Sequence, residues 1–246
     1  MDAIVLAGGK GKRLGNASKL VHKGALVFQA KSLLEHVLEN LLHNEYIERV
    51  IVLTGHRSDD IHAVAQHHFL SHLRSKRLQI LDFPDICGSL SRIASALHLL
   101  NGNQGYYVCG VDTWIPLSAL NRFWDFLQKN PDYSSLLLSS DMEIAPTHGL
   151  VGLNENGLVI NYICSNDQLV SSRKKGHLVD VGARYFSAGI CEEIMPIKFS
   201  NGHYVPNFLA EVAARSQSFL GYLFFEPWRH FATIQDFSPD KSLLAL

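Results

Sequence analysis

The chain has 246 residues, 47% of them hydrophobic, with Lys+Arg 22 against Asp+Glu 23 and a formal net charge of −1. That length can bury a large core, and the charge balance excludes both a basic nucleic-acid footprint and an acidic disordered arm. The apolar runs are far shorter than the roughly 20 residues that a membrane-spanning helix needs, and Asp2 with the glycines soon after it argue against a secretory leader.

Residues 3–7 read as a short buried strand ended by Gly8. Residues 32–42 carry Leu33, Leu34, Val37, Leu38, Leu41 and Leu42 at helical spacing, with Ser32 and Glu35 forming a capping box. A second buried strand spans 50–53 and ends at Thr54-Gly55; a helix follows over 59–73, then a third strand over 78–81. Residues 89–100 read as a helix stopped by Asn101-Gly102, residues 105–109 as a fourth strand, and residues 117–129 as a helix with Pro131 beyond it. Strand and helix alternating four times over about 130 residues predict a parallel sheet with helices on both faces. Further strands are expected over 134–139, 150–153, 158–162, 181–186, 221–225 and 231–233, a turn at Asn154 to Gly157, a loop over 171–176 and a helix over 205–216. The cysteines, Cys87, Cys109, Cys164 and Cys191, lie too far apart for a CxxC motif and read as buried thiols of a reducing compartment, while His67-His68 reads as part of a solvated helix face.

Ligands of such sheets bind beyond the carboxyl ends of the strands. The segments that reach that edge are the loop at Gly8, Thr54, residues 82–89 and residues 110–113. The first is the most informative: AIVLAGGKGKRLGNASKL runs from a strand into Gly8, Gly9 and Gly11, with Lys10, Lys12, Arg13 and Lys19 around them. Glycines without Cβ atoms let backbone N–H groups approach an anion closely, and a following helix N-terminus adds positive charge. The spacing is not the dinucleotide GxGxxG, because Leu14 stands at its third glycine, and not a P-loop, because Arg13 follows Gly11-Lys12.

LAGGKGKRLGNASKL resembles the signature of the nucleotidyltransferases that make sugar nucleotides and related activated compounds, roughly LAGGxGxRLG…PKxL, with Ser18 where proline is usual. Two further segments are similar to the molybdopterin guanylyltransferase-like branch: DFPDICGSLSRIASAL from Asp82, and CGVDTWIPLSAL with Asp112 as its acidic residue. WRHFATIQDF, from Trp228, resembles the closing W-x-D/N-x-x-T-x-x-D, with His230 in place of the acidic or amide residue and Asp236 as the last aspartate. The segment YICSND, from Tyr162, departs from the EKP-like segment of many sugar-1-phosphate enzymes, and Trp114 stands where the branch often has proline.

The resemblance implies a Rossmann-like three-layer α/β/α fold of the nucleotide-diphospho-sugar transferase type. It implies one domain over 1–246, with 1–130 as the NTP-binding half and 131–246 as the acceptor-binding half. The activity implied is transfer of NMP from an NTP, CTP or GTP favoured, to a small phosphorylated acceptor such as a sugar phosphate, polyol phosphate or choline phosphate. Carried onto this chain, the Gly8, Gly9, Lys10 and Gly11 loop would hold the triphosphate and Arg13 would face the leaving pyrophosphate. Lys19 would bridge acceptor and α-phosphate. Leu6, Ala7, Asp82 or Asp85, Gly88 and Ser89 would recognise base and ribose. Asp112, with His230, would be the metal side, for Mg²⁺ with Mn²⁺ as substitute. A cytoplasmic protein is expected, with no nucleic-acid or membrane partner and with homo-oligomerisation left open. Two rivals stay open at this stage: a nucleotide-binding relative without turnover, suggested by His230, and a glycosyltransferase, against which the lack of a D-x-D motif around Asp112 counts.

Overall fold

A computed structural model describes residues 1–100, 104–141, 148–164, 176–197, 202–215 and 218–237. The expected helix stop at Asn101-Gly102, nearly all of the 171–176 loop and the second half of YICSND lie outside these residues.

In chain order the elements are β1 (Asp2–Ala7), α1 (Ala17–Leu20), β2 (Val27–Phe28), β3 (Lys31–Ser32), α2 (Leu33–Leu42), β4 (Arg49–Thr54), α3 (Ser58–His68), α4 (Leu70–Arg74) and β5 (Leu78–Asp82). Then follow α5 (Ser89–Leu97), β6 (Tyr106–Gly110), β7 (Thr113–Trp114), α6 (Leu117–Lys129), β8 (Ser134–Ser139), β9 (Leu150–Leu153), β10 (Val159–Ile163) and β11 (Leu178–Phe186). The last are α7 (Ala188–Ile194), α8 (Val205–Arg215), β12 (Phe219–Phe224) and β13 (Arg229–His230). The chain divides into two compact units: Met1–Asp85 with Cys109–Leu117 and Pro227–Leu246, and Ile86–Val108 with Ser118–Glu226. The fold class is α/β, with a central, mostly parallel sheet and flanking helices, as expected.

In the first unit β1 pairs in parallel with β4, and β4 with β5. Ala3, Ile4 and Val5 of β1 and Val50 to Leu53 of β4 are all fully buried, as near-continuous apolar strands of a parallel sheet must be. The six apolar residues of α2 are buried together, and its capping box forms: Glu35 N–H donates to Ser32 Oγ at 3.2 Å and Ser32 N–H to Glu35 Oε2 at 2.7 Å. The helix expected over 59–73 is two helices. The chain leaves helical geometry at Phe69, where φ is −128°, and the Phe69 side chain is buried. The late strand expected over 231–233 lies earlier, at β13, because Asp236 draws the next turn together: its Oδ2 accepts from Ala232 N, Thr233 N and Thr233 Oγ1 at 2.9, 2.6 and 2.9 Å.

In the second unit β11 runs antiparallel to Tyr106–Val108 of β6, to β8 and to β9; β10 pairs antiparallel with β9 and β12 parallel with β8. Strand β11 starts three residues before the expected 181, so Asp180 falls inside it. Asp180 is tolerated there because Arg184 Nη2 and Tyr162 Oη donate to its Oδ2 at 2.6 and 2.8 Å, and Gly182 N–H to its Oδ1 at 2.9 Å. No helix among the described residues is long and apolar enough to cross a membrane.

Candidate active site

The strand ends of the first unit line up. Ala7 lies opposite Thr54, and Thr54 opposite Asp82. Val111 N–H donates to Leu6 O at 3.1 Å, so the residues just past β6 sit beside the end of β1. Gly8 is buried, whereas Gly9 and Lys10 are exposed. Gly11 has φ +59°, a left-handed conformation that glycine adopts without strain, and its carbonyl accepts from Leu14 N at 2.8 Å to start a 3-10 turn over Lys12–Leu14. That turn and the four-residue α1 are the helix directly after the loop, so no long helix dipole points at it. Lys10 and Arg13 are exposed.

Asp112 follows β6 on this edge. Its Oδ2 accepts from Lys23 Nζ at 2.7 Å, with the Lys23 side chain 10% exposed and that of Asp112 29%. Burial pushes the Asp112 carboxyl up, but the Lys23 ammonium and then His230 outweigh it and hold the group well below the ordinary carboxylate range. His230 reaches this place through β13, which pairs with β7 so that His230 lies opposite Thr113; Phe231 N–H donates to Asp112 O at 2.9 Å. Thr113 Oγ1 and His230 Nδ1 are 3.4 Å apart. Trp114 belongs to the apolar packing, against a cluster of Phe28, Leu33 and Phe231.

The sequence reading puts Lys19 at the point of attack. Lys19 is exposed on α1, and its carbonyl accepts from Arg57 Nη1 at 3.1 Å; the lysine brought to Asp112 is Lys23. A signal for this was present in sequence. Lys19 closes a polar run, Asn16 to Lys19, whereas Lys23 is followed by Gly24, Ala25 and Leu26 and enters packed structure. Gly24 is closely packed, since a Cβ there would come to 3.0 Å from Ile61 Cδ1 and from Val111 Cγ2.

His22 sits directly before Lys23 and is 2% exposed. Its N–H donates to Asp60 Oδ2 at 2.6 Å, and its Nδ1 accepts from Gly24 N–H at 2.9 Å, capping the 3-10 turn Lys23–Ala25. Accepting at Nδ1 selects the neutral tautomer with the proton on Nε2. Burial lowers the His22 pKa to about 4, against the pull of the Asp60 carboxylate. Arg57 grips Asp60 with Nε at 2.6 Å and Nη2 at 3.2 Å, and these hydrogen bonds hold the Asp60 carboxyl below its usual value. Arg57 does so from φ +52°, a strained backbone for a side chain with a Cβ.

Asp82 is exposed at the end of β5 and pairs with His62 Nε2 at 3.0 Å. Gly88 and Ser89 belong to the second unit, at the start of α5. There the first helix amides are occupied by the chain itself: Leu90 and Ser91 N–H donate to His203 O at 3.1 and 3.4 Å, and Ser89 Oγ accepts from Val205 N at 3.0 Å. Gly88 has φ +101°, and a Cβ on it would overlap the His203 carbonyl oxygen.

One carboxylate held anionic fits a magnesium ion, which binds through one or two carboxylates together with substrate phosphates. Among the described residues no group of three or more His, Cys, Asp or Glu could hold a metal by protein ligands alone. The imidazole of His230 is a better donor to Zn²⁺ or Mn²⁺ than to Mg²⁺.

A glycine loop follows the first strand, and the Lys23–Asp112 pair, with Lys23 packed near Gly11, lies beside it. The family model of the MobA-like NTP transferase domain matches residues 3–150, and the chain belongs to that family. No curated protein sequence matches it. Among solved structures it is similar to the inositol-1-phosphate CTP transferase from T. maritima, at 17% identity and TM-score 0.77 over 99% of this chain and 94% of that one. It is also similar to a UDP-glucose pyrophosphorylase complexed with UDP-glucose, at 17% identity and TM-score 0.75 over 96% of both chains. At these identities the likeness is one of fold.

Proposed function

We propose that this nucleotidyltransferase moves NMP from an NTP to a small phosphorylated acceptor and that Lys23 and Asp112 form its reacting centre. The observation that carries the reading is the 2.7 Å Lys23–Asp112 pair beside the glycine loop. An acceptor phosphate oxygen attacks the α-phosphorus, the bond from that phosphorus to the bridging β-phosphate oxygen breaks, and pyrophosphate leaves with that electron pair. Little covalent work falls to the protein, so positioning two anions and stabilising spread negative charge are its main tasks. The backbone of Gly8, Gly9, Lys10 and Gly11 holds the triphosphate, with Leu6 and Ala7 at the base of the loop, and Arg13 takes the leaving pyrophosphate as a bidentate donor. Lys23, a compact point charge, serves the oxygen shared between acceptor and α-phosphate, the role that sequence alone gives to Lys19.

Asp112 would hold Mg²⁺, with His230 alongside; bound there, the ion neutralises phosphate charge. Asp82 is proposed for base and ribose, and residues 131–246 of a single domain for the acceptor. CTP or GTP is the favoured donor, and a polyol or sugar phosphate the favoured acceptor; the inositol-1-phosphate CTP transferase among the similar folds supports both choices. Four cysteines, none in a disulfide among the described residues, support a cytoplasmic setting.

The test incubates the protein with each NTP, Mg²⁺ and a panel of sugar, polyol and choline phosphates while pyrophosphate is followed. The reading expects release with one pairing, abolition by EDTA and restoration by Mg²⁺. Tight NTP binding without release under any pairing would leave a nucleotide-binding protein without turnover.

A further inference from the structure

We infer that His22 is a positioning residue that places the Lys23 ammonium on Asp112 by capping the turn from which Lys23 projects. The inference rests on the role proposed above for Lys23. It starts from a geometric problem. Lys23 opens a three-residue 3-10 turn, which is too short to stabilise itself, and its ammonium must meet a carboxylate 89 residues away in sequence. A flexible lysine stem loses rotamer entropy when fixed, so the backbone beneath it has to be held by something else.

His22 supplies that hold from both sides. Its Nδ1 accepts the Gly24 N–H at 2.9 Å, which closes the turn around Lys23. Its own N–H is tied to Asp60 at 2.6 Å, and Asp60 is clamped by Arg57. Arg57 also donates to Lys19 O at 3.1 Å, so the chain is fixed to the start of α3 at both Lys19 and His22. The space around Gly24 reinforces the arrangement: a Cβ there would lie 3.0 Å from Ile61 and Val111 and 3.2 Å from His22 Nδ1. A buried imidazole with pKa lowered to about 4 stays neutral at working pH, which keeps Nδ1 an acceptor and keeps a second cation away from Lys23. His22 needs no contact with substrate for this role.

The two ring nitrogens make the inference testable. Asparagine at position 22 places its Oδ1 where Nδ1 lies and accepts from the N–H two residues on, as in an Asx-turn. Glutamine reaches instead to the Nε2 position. His22→Ala and His22→Gln should each lower kcat by about 10²-fold with little change in KM for the NTP, whereas His22→Asn should recover most of the rate. A second readout needs no turnover. Acetylation by N-hydroxysuccinimide acetate, read by mass spectrometry at Lys23 against exposed Lys19 in the same molecule, should be slow in the wild type and in His22→Asn and faster in the other two. If His22→Asn loses as much as His22→Ala, or if His22→Gln keeps both the rate and the slow acetylation, the capping role is overturned. Should the wild type release no pyrophosphate with any NTP, the functional reading fails by itself, and the acetylation pattern still decides whether His22 positions Lys23. The Asn and Gln pair keeps the test decisive if His22→Ala does not fold.

Discussion

Lys23 and Asp112 neutralise each other in a partly buried setting, so each protects the other from being an unpaired charge. Removing one partner both deletes a group that acts on phosphate and leaves its neighbour uncompensated. Lys23→Ala and Asp112→Ala are each expected to lower the rate of pyrophosphate release by about 10²- to 10³-fold, measured at saturating NTP with folding checked by circular dichroism. Lys19→Ala should cost only a few-fold, as fits an exposed cation of the loop region. A larger loss for Lys19 than for Lys23 would return the role to the lysine that sequence alone selects. Asp112 was legible in the sequence because it follows a strand on the ligand edge. Lys23 was less so, because Lys12, Lys19 and Lys23 all follow the glycine loop, and only the entry of Lys23 into the apolar Gly24 to Leu26 hinted which one meets a partner.

At the scale of elements, short pieces decide the geometry. The β2–β3 hairpin closes with Gln29 and Ala30, at φ +49° and +67°, a turn of the type that favours Asn-Gly. An alanine in that conformation is strained, and Ala30→Gly should stabilise the protein by about 0.5–1 kcal/mol, seen as a raised urea midpoint. The opposite holds at the head of α5. Gly88→Ala puts a Cβ against the His203 carbonyl at φ +101° and should cost more than about 1 kcal/mol while loosening the 202–205 turn, seen as faster amide exchange at Leu90 and Ser91. Helix α2 was readable to its capping box because apolar periodicity and a cap are local signals. The hairpin, α1 and α7 carry no such pattern, because each is too short to show a period.

For the whole molecule, stability should depend on pH through His22. Its pKa is about 4 folded against 6.5 unfolded, so between these values the unfolded chain binds a proton that the folded chain excludes. Stability therefore falls as pH drops from about 6.5 to about 4, by about 3 kcal/mol at most from this group. Below that window the depressed Asp112 carboxyl adds a further loss on acidification. Thermal midpoints measured from pH 7 to 4 should drop more steeply for the wild type than for His22→Asn; equal slopes would mean that His22 is not the group that titrates. The sequence by itself determined the alternation of strand and helix, the ligand edge of the sheet and the glycine loop on it, because periodicity, caps and glycine conformations are set within a few residues. Only the tertiary structure decided which lysine meets Asp112, that His22 Nδ1 caps the turn Lys23 opens, and that the amides of Leu90 and Ser91 are taken up by the His203 carbonyl. Those choices depend on contacts between residues far apart in sequence, where packing and charge pairing, rather than local pattern, set the energy.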